Sequence, residues 1–515
     1  MKRHRIIDLL SDRTVETVRA WFGRCAGITM ITRGYVCAYA QAATMALPQC
    51  DAGGRPVVSD GKRQCHLARR RAALPLPTYP LVPCLVGPTL SNCPGSGDLL
   101  IHWWCLLHNP EFSDSRVNRG ITNGQDDVLG TQNAGCKMAT MRIRLPVRDV
   151  LMVAEQSGIA LKVLHCCIGA GLRVHILGGP QAAHLRHSRY TASFTLTDIP
   201  SNGPFESFAA AVEDAVQCTG ASVVLPGDYW STRALIRVAP GLRVPVFPLP
   251  DARSFDMLAE KWNFYCFCKS IDVPVPQTIW VGDKTCLAAA ALGTRFGYPL
   301  VVKPTDQGNM DGVVIAHSAA DLEQRVIGNP GYRYGNLIAQ SFIPGDDIDC
   351  SVLAVDGRVL AAAVQRRIED AIVFCDHSML TNLVGRIVEA SRFTGVAHFD
   401  ARTDLRDGGI RLIECNPRFW ASVDAAHWCG LNFVAIGLDA AIEPTAVAAV
   451  PDLVDGIFYP LGVALRRFLR FDARPLRSAA TRGSLWQALG DPLPLVIDKI
   501  GERKGKRESA ESVIA

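Results

Sequence analysis

The chain has 515 residues, about half of them hydrophobic and a fifth charged, with a formal net charge of +5. The length exceeds one ordinary domain and predicts about three or four structural units, and the composition excludes global disorder. Basic residues are dispersed except in two short runs, so no nucleic-acid partner is expected. Eighteen cysteines without a Cys-x-x-Cys pair favour reduced, buried thiols in a cytoplasmic protein. Prolines interrupt the apolar stretch 74–107, so no membrane span is predicted.

The first 137 residues differ from the rest of the chain. Residues 6–10 are typical of a strand and residues 14–22 of an amphipathic helix. From 51 to 132, prolines, glycines and cysteines follow neither a strand period nor a helix period. Because such a composition does not specify a core, we expect residues 1–137 to be largely irregular or disordered.

Short segments within residues 1–70 resemble a degenerate fragment of an insertion-sequence transposase of the DDE type. These segments are Ile7-Asp8-Leu9-Leu10-Ser11-Asp12-Arg13-Thr14, Ile31-Thr32-Arg33-Gly34, Ala38-Tyr39-Ala40-Gln41-Ala42-Ala43 and Val58-Ser59-Asp60. In that family a catalytic aspartate stands where this chain has Gly34, and Asp60 lies roughly where another acid is expected. DDE chemistry needs three carboxylates to hold two metal ions. The resemblance therefore implies an inactive remnant fused upstream, with Met138 or Met141 as the original start.

Regular patterns return near residue 149. Strand, helix and strand follow one another at a spacing that predicts a βαβ unit with a parallel sheet, assigned to residues 141–250. The predicted strands are 150–154, 172–177 and 221–225, and the predicted helices are 158–169 and 206–219. Gly169 and Gly171 do not form a dinucleotide fingerprint, because their loop does not follow the first strand and a third glycine is missing.

Residues 251–445 contain four motifs in a fixed order. The first opens a helix with a lysine, the second ends an apolar strand with a lysine, the third is apolar and then acidic, and the fourth is a hairpin rich in polar residues. They read Glu260-Lys261-Trp262; Tyr298-Pro299-Leu300-Val301-Val302-Lys303-Pro304; Leu337-Ile338-Ala339-Gln340-Ser341-Phe342-Ile343-Pro344-Gly345 before Asp346-Asp347-Ile348-Asp349; and Gly395-Val396-Ala397-His398-Phe399-Asp400-Ala401-Arg402 with its return strand to Arg418. Each motif alone is weak, and the acidic residues alone would be a solvated turn.

The hairpin predicts a metal site. Glu414 and Asn416 are two residues apart on a strand and so share one face. Oxygen ligands of this kind suit Mg²⁺, which is usually held by one or two carboxylates together with substrate phosphates. If paired residue numbers in the hairpin sum to an even value near 812, Asp400 joins that face, whereas a one-residue slip turns it away. We predict the even register.

Together the four motifs resemble the ATP-grasp superfamily, in particular its carboxylate–amine ligases, over residues 141–445. The resemblance implies an α/β chain in which two α+β subdomains clasp ATP after a βαβ pre-ATP-grasp domain. The expected domains are 1–137, 141–250 and 251–445, with 278–336 as a lid subdomain. Residues 446–515 are expected to be a helical extension, with a helix over 461–471 and a frayed tail from 501.

The resemblance also implies roles for individual residues. Lys261 and Lys303 bind ATP, with Lys303 at the phosphates beside a mobile loop over 305–312. The segment 338–343 is the hinge and contacts adenine, while either Asp347 or Asp349 binds ribose. Arg418 and the pair Arg366-Arg367 are candidates for holding an acyl phosphate or carboxylate. The implied site residues are therefore catalytic Arg418, Arg367 and Lys303; ATP-binding Lys261, Lys303, Gln340, Ser341, Phe342, Ile343, Asp347 and Asp349; and metal-binding Asp400, Glu414 and Asn416.

The function implied by the resemblance is an ATP-dependent ligase that joins a carboxylate to an amine through an acyl phosphate. Its cofactors are ATP and Mg²⁺, with Mn²⁺ as an alternative ion, and its partners are small molecules, with a homodimer left open. Substrate choice is expected to rest on residues 141–250, around Arg189 and Asp228. The alternatives are a carboxylating or purine-pathway ATP-grasp enzyme, a transposase-derived DNA-binding protein and a catalytically dead ATP-binding module.

Overall fold

The computed structural model describes residues 148–308, 310–443 and 448–497. The predictions for residues 1–137, including the transposase resemblance, and for the tail from residue 501 lie outside these residues. Within the described residues, we find no helix with both the length and the apolarity that a bilayer crossing requires. The same residues form three β-sheets with covering helices.

The first sheet is parallel and confirms the predicted βαβ unit. Its elements are β1 (Asp149–Ala154), α1 (Ser157–Gly169), β2 (Arg173–Gly178), a 3₁₀ helix (Pro180–His187), β3 (Thr191–Leu196), α2 (Glu206–Thr219), β4 (Val223–Pro226), α3 (Tyr229–Val238) and a 3₁₀ turn (Ala239–Gly241). The strand order is β3-β2-β1-β4. Because side chains alternate along β1, Val150 and Met152 pack towards α1, whereas Leu151 and Val153 pack towards α2 and α3.

Neither β3 nor α3 was predicted from the sequence. The side chains of β3 are mostly exposed or half-buried at the sheet edge, so the strand lacks an apolar alternation. The helix α3 depends on its first turn, where Asp228 and Ser231 form a capping box.

Asp228 is a buried acceptor for three backbone N–H groups. Its Oδ2 accepts hydrogen bonds from the amides of Glu155 at 2.6 Å and Gln156 at 2.9 Å, and its Oδ1 accepts one from Ser231 at 2.9 Å. Burial raises the pKa of Asp228, while these hydrogen bonds act in the opposite direction. The carboxylate thus fixes the turns after β1 and β4. The side chain of Arg189 likewise donates to the Gly490 carbonyl at 3.3 Å, so both residues expected to select the substrate make structural contacts.

Replacing Asp228 with alanine is expected to lower the free energy of unfolding by about 3 kcal/mol, because buried N–H groups lose their acceptor. Asp251 is a matched control, since it is exposed and caps α4 (Ala252–Ala259) through the amide of Ser254 at 2.9 Å. Its replacement with alanine should cost about 1 kcal/mol. Urea unfolding measures both values, and equal losses would show that the buried network adds nothing to an ordinary cap.

The second sheet is antiparallel, with the order β5-β8-β6-β7. It follows α4 and α5 (Lys261–Ser270) and contains β5 (Thr278–Gly282), a 3₁₀ turn (Lys284–Cys286), α6 (Ala289–Phe296), β6 (Leu300–Pro304), β7 (Val314–Ala316), α7 (Ala319–Leu322), a π turn (Glu323–Ile327) and β8 (Leu337–Ser341). Since β8 lies between β5 and β6, this sheet extends past residue 336 into the segment expected to form the hinge.

The third sheet is antiparallel and has the order β13-β12-β9-β10-β11-β14. Its elements are β9 (Gly345–Val355), β10 (Arg358–Ile368), β11 (Ala371–Cys375), α8 (Ser378–Ala390), β12 (Gly395–Asp404), β13 (Ile410–Asn416), α9 (Val423–Trp428), α10 (Phe433–Ile442) and β14 (Asp455–Phe458). Ile348, Phe399 and Leu412 on one face pack in a core with residues of α4, α5 and α8. The opposite face carries polar residues on β9, β12 and β13.

The C-terminal part contains more than the predicted helices. β14 adds an edge strand to the third sheet, and it was missed because four residues carry too little pattern. The helices are α11 (Leu461–Phe468), α12 (Arg474–Arg477) and α13 (Ala479–Gly490). The helix expected over 461–471 therefore ends earlier, at Phe468. Phe471, three residues further on, adopts a left-handed backbone conformation with φ of 60°, which a helix does not allow.

Candidate active site

Acidic side chains meet on the polar face of the third sheet. Asp400 on β12 is paired directly with Glu414 on β13 and with Asp349 on β9. Directly opposed residues of antiparallel strands lie on the same face. The sheet therefore brings carboxylates from three neighbouring strands together.

The hairpin register is even at the site, as predicted. Asp400 pairs with Glu414 and His398 pairs with Asn416, and both pairs sum to 814. Beyond Asp400 the register shifts by one at a β-bulge, so that Ala401 pairs with Leu412. The prediction did not include this bulge, which sequence patterns rarely reveal.

The predicted metal ligands form one hydrogen-bonded group. The Asn416 amide donates to Asp400 Oδ2 at 3.2 Å, and the Glu414 carboxyl is within hydrogen-bonding contact of Asp400. Burial tends to raise the pKa of Asp400, but hydrogen bonds from His398 and Glu414 and the charge of Arg418 hold it below its usual value. Two carboxylates side by side need a shared proton or a cation.

Two lysines face these carboxylates. Lys261 Nζ lies 3.6 Å from Glu414 Oε2 and also donates to the Gln307 carbonyl in the β6–β7 loop. Lys303, near the end of β6, is only 3% exposed. Burial lowers the pKa of Lys303 to about 8, a shift that Glu414 and Asp400 oppose and Lys261 increases. Such a lysine becomes more favourably charged when an anion binds.

Arg418 lies at the end of the same group. Its guanidinium donates to the Phe419 carbonyl at 2.7 Å and to Asn416 Oδ1 at 3.1 Å. Burial lowers the pKa of Arg418, and Asp400, Glu414 and Asp228 oppose that shift. The negative charge of Asp228, in the turn after β4 of the first sheet, therefore favours the charged form of this guanidinium.

His398 is a site residue that was not assigned from the sequence. Its Nε2 lies 3.2 Å from Asp400 Oδ1 and 3.9 Å from Asp349 Oδ2. Burial opposes protonation of His398, but the hydrogen bond to Asp400 and both nearby negative charges raise its pKa. The available signal was its position two residues before Asp400, which places both side chains on one strand face.

Asp349 is held in the same group. Burial and the charge of Asp400 raise the pKa of Asp349 to about 6, while His398 and the amide of Gln365 act in the opposite direction. Asp347 differs, because its carboxylate is 72% exposed and pairs with Arg402 at 3.2 Å. Both acids lie in β9, and not in the solvated turn that was the alternative to a ribose-binding role.

The segment expected to contact adenine, 338–343, begins within β8 and continues past its end. Gln340 is buried and donates to Thr278 Oγ1 at 2.9 Å, and the amide of Ser341 donates to the Gln277 carbonyl at 2.9 Å. Ile343 is buried and Phe342 is half-buried. The guanidinium of Arg402 lies 5.3 Å from the centroid of the Phe342 ring, which links this segment to Asp347.

The side chains of Arg366 and Arg367, which are adjacent on β10, point to opposite faces of the third sheet. Arg367 is exposed and shares a strand face with Gln365, and among the described residues we find no hydrogen bond or ion pair for its side chain. Arg366 points to the opposite face and is half-buried. The structure therefore does not bring Arg367 into the group formed by Asp400, Glu414 and Lys261.

Sequence models of two protein families match this region. The family described as "ATP-grasp in the biosynthetic pathway with Ter operon" matches residues 333–457, and the family described as "D-ala D-ala ligase C-terminus" matches residues 267–382. The chain carries an ATP-grasp domain. The two matches together include Lys303, Asp400, Glu414 and Asn416.

Individual relatives of this ATP-grasp protein are similar over parts of their length. D-aspartate ligase from Enterococcus faecium is 26% identical over 213 residues, which cover 36% of this chain and 50% of the relative. D-alanine–D-alanine ligase from Thermotoga petrophila is 33% identical over 106 residues, which cover 21% of this chain and 32% of the relative. The chain therefore spans half the length of the first relative and a third of the second.

Solved structures with a similar arrangement include two enzymes. The biotin carboxylase domain of Hydrogenobacter thermophilus 2-oxoglutarate carboxylase, in complex with MgADP and bicarbonate, is 16% identical, with a TM-score of 0.47 over 61% of this chain and 74% of that one. L-amino acid ligase from Bacillus licheniformis is 16% identical, with a TM-score of 0.42 over 57% of this chain and 74% of that one.

Proposed function

We propose that this ATP-grasp protein is an ATP-dependent ligase that joins a carboxylate to an amine through an acyl phosphate. The observation that carries the proposal is the group of Lys261, Lys303, Asp400, Glu414 and Arg418, which gathers at the polar face of the third sheet from α5, from β6 of the second sheet and from β12, β13 and the turn after β13. It combines cations for phosphate oxygens with oxygen ligands for a metal ion. The similarity to ligases for D-aspartate and D-alanine supports the same class of reaction.

The donor atoms fit magnesium. Asp400 and Glu414 supply carboxylate oxygens in mutual contact, and Asn416 supplies an amide whose oxygen lies beside Arg418. Hard oxygen ligands of this kind are those that Mg²⁺ prefers. A bound ion would neutralise charge on the transferred phosphoryl group.

The nucleotide would lie between the second and third sheets. Lys303 would neutralise the phosphates, and Lys261 links the β6–β7 loop to Glu414. Phe342 and Ile343 are candidates for the adenine contact. For ribose, Asp347 is the better candidate, because its carboxylate is exposed whereas Asp349 is engaged by Gln365.

The reaction would proceed in two balanced steps. A carboxylate oxygen of the first substrate attacks the γ-phosphorus, and the bond from phosphorus to the ADP oxygen breaks. The amine then attacks the acyl carbon and loses a proton, and the carbon–oxygen bond breaks to release phosphate. Arg418 would hold the acyl oxygens while charge develops on them.

An ADP-release screen tests the proposal. The full chain is incubated with Mg-ATP and panels of carboxylates and amines, singly and in pairs, and the products are examined by mass spectrometry. We expect ADP release that requires both substrates and yields an amide. Release that depends on bicarbonate instead would support the carboxylating alternative, and tight ATP binding without turnover in any pair would support the inactive ATP-binding module.

Arg418→Lys is expected to reduce amide formation about 100-fold with little change in ATP affinity. A lysine keeps the charge but loses the planar fork that pairs with two oxygens. Arg367→Lys is the matched control, because Arg367 lies outside the group. If Arg367→Lys proves as damaging as Arg418→Lys, the assignment of the acyl site to Arg418 is wrong.

A further inference from the structure

Three side chains on the polar sheet face converge on one point, and two of them, Asp349 and His398, have no role in the proposed reaction. Single ligand atoms of Asp349, His398 and Asp400 all lie within 4.8 Å of one another. They come from the neighbouring strands β9 and β12, so regular strand pairing fixes their backbone positions. This group adds an imidazole nitrogen, whereas the magnesium ligands proposed above are all oxygens.

The imidazole is held in one orientation. His398 is 8% exposed, and its Nδ1 is 2.8 Å from Ser351 Oγ. Its ring is stacked on Trp420 with an interplanar angle of 9° and 5.5 Å between centroids. With Nδ1 donating to Ser351 Oγ, Nε2 is directed at the two carboxylates, and a bound cation would replace the proton that Nε2 otherwise donates to Asp400.

The carboxylate of Asp349 is also held by hydrogen bonds from residues outside the group. The amide of Gln365 donates to Asp349 Oδ2 at 3.2 Å, and the hydroxyl of Ser422 donates to Gln365 Oε1 at 3.1 Å. Metal-binding histidines and carboxylates in proteins are typically oriented by such outer hydrogen bonds. The group therefore has both ligands and the contacts that position them.

We propose that Asp349, His398 and Asp400 form a binding site for a divalent transition ion such as Mn²⁺, Co²⁺ or Zn²⁺. One nitrogen and two carboxylate oxygens suit these ions better than Mg²⁺, which favours oxygen alone. Ion binding here requires neither nucleotide nor the proposed ligase activity. Asp400 belongs to this site and to the magnesium group.

Pulsed electron paramagnetic resonance of Mn²⁺ bound to the full chain without nucleotide tests the site. The expected result is nitrogen modulation from one imidazole, which His398→Gln removes while weakening Mn²⁺ binding more than 10-fold. Asp347→Asn is the matched control on the same strand, and Glu414→Gln reports on the magnesium group. Both variants should retain the modulation.

Ser351→Ala removes the hydrogen bond to His398 Nδ1 but keeps all three proposed ligands. It therefore tests the site even if the His398→Gln variant does not fold. We expect it to weaken Mn²⁺ binding about 10- to 100-fold while the nitrogen signal is kept at saturation. The proposal is overturned if the unchanged protein gives no nitrogen modulation. It is equally overturned if a folded His398→Gln or Asp349→Asn variant binds Mn²⁺ as the unchanged protein does.

Discussion

Glu414→Gln is expected to lower ADP release about 100- to 1000-fold, the largest effect of any single substitution in this site. The carboxylate contacts Asp400 and lies 3.6 Å from Lys261 Nζ, so it serves both the proposed metal ion and a buried cation. Glutamine keeps the shape but removes the charge that a metal ion and its phosphates require. The substitution also leaves Lys261 without its charged partner, which should lower the melting temperature.

Steady-state ADP release over a range of magnesium concentrations is the decisive measurement for this substitution. Glu389→Gln is the control, because Glu389 is exposed on α8, which packs against the opposite face of the sheet. Full activity of Glu414→Gln at ordinary magnesium concentrations would remove Glu414 from the metal site and with it the proposed mechanism.

Lys303→Met is expected to have opposite effects on binding and on stability. Loss of a charged donor to phosphate should weaken ATP binding about 10- to 100-fold. Because the ionised lysine is buried and its pKa is about 8, instead of 10.5, methionine should raise the free energy of unfolding, by up to about 3 kcal/mol near neutral pH. Calorimetric titration with ATP and urea unfolding measure the two effects.

The pH dependence of that stability gain has a defined sign. Between pH about 8 and 10.5 the unfolded chain binds the Lys303 proton and the folded chain does not, so the stability of the unchanged protein rises with pH there. The advantage of Lys303→Met should therefore be largest below pH 8 and fade above it. Lys269→Met on exposed α5 surface is the control and should change stability by less than about 0.5 kcal/mol at any pH. A destabilised Lys303→Met would show that burial of the ammonium carries no penalty.

Local sequence pattern was sufficient to predict the placement of several side chains near the site. The spacing of Glu414 and Asn416 at the end of a strand predicts that both lie on one face, and the position of Lys303 near the end of an apolar strand predicts where its ammonium group lies. The bounds of α2 and the first residue of α5 were also predicted, because capping and periodicity are local properties.

Other parts of the site depend on contacts between distant segments. Asp228 has an acidic side chain of the kind expected to bind substrate, and only the fold shows that the amides of Glu155 and Gln156 use its carboxylate. Gln365 gains its role from pairing with Asp349, 16 residues earlier. Strand-to-strand partners of this kind are set by sheet order, which a single sequence does not state.

The β-bulge between Asp400 and Ala401 separates two parts of the hairpin with different registers. The numbers of paired residues sum to an even value at Asp400 and Glu414, and to an odd value at Ala401 and Leu412. On the side of the turn, Ile410 and Leu412 fill the core, and on the other side Glu414 faces the polar surface. If the turn-side pairing continued, Asp400 would face Ile413 and lose its partner. Because the bulge sets the pairing of Asp400 with Glu414 separately from the pairing beside the turn, we expect an insertion into the tip over residues 405–409 to leave the orientation of both carboxylates unchanged.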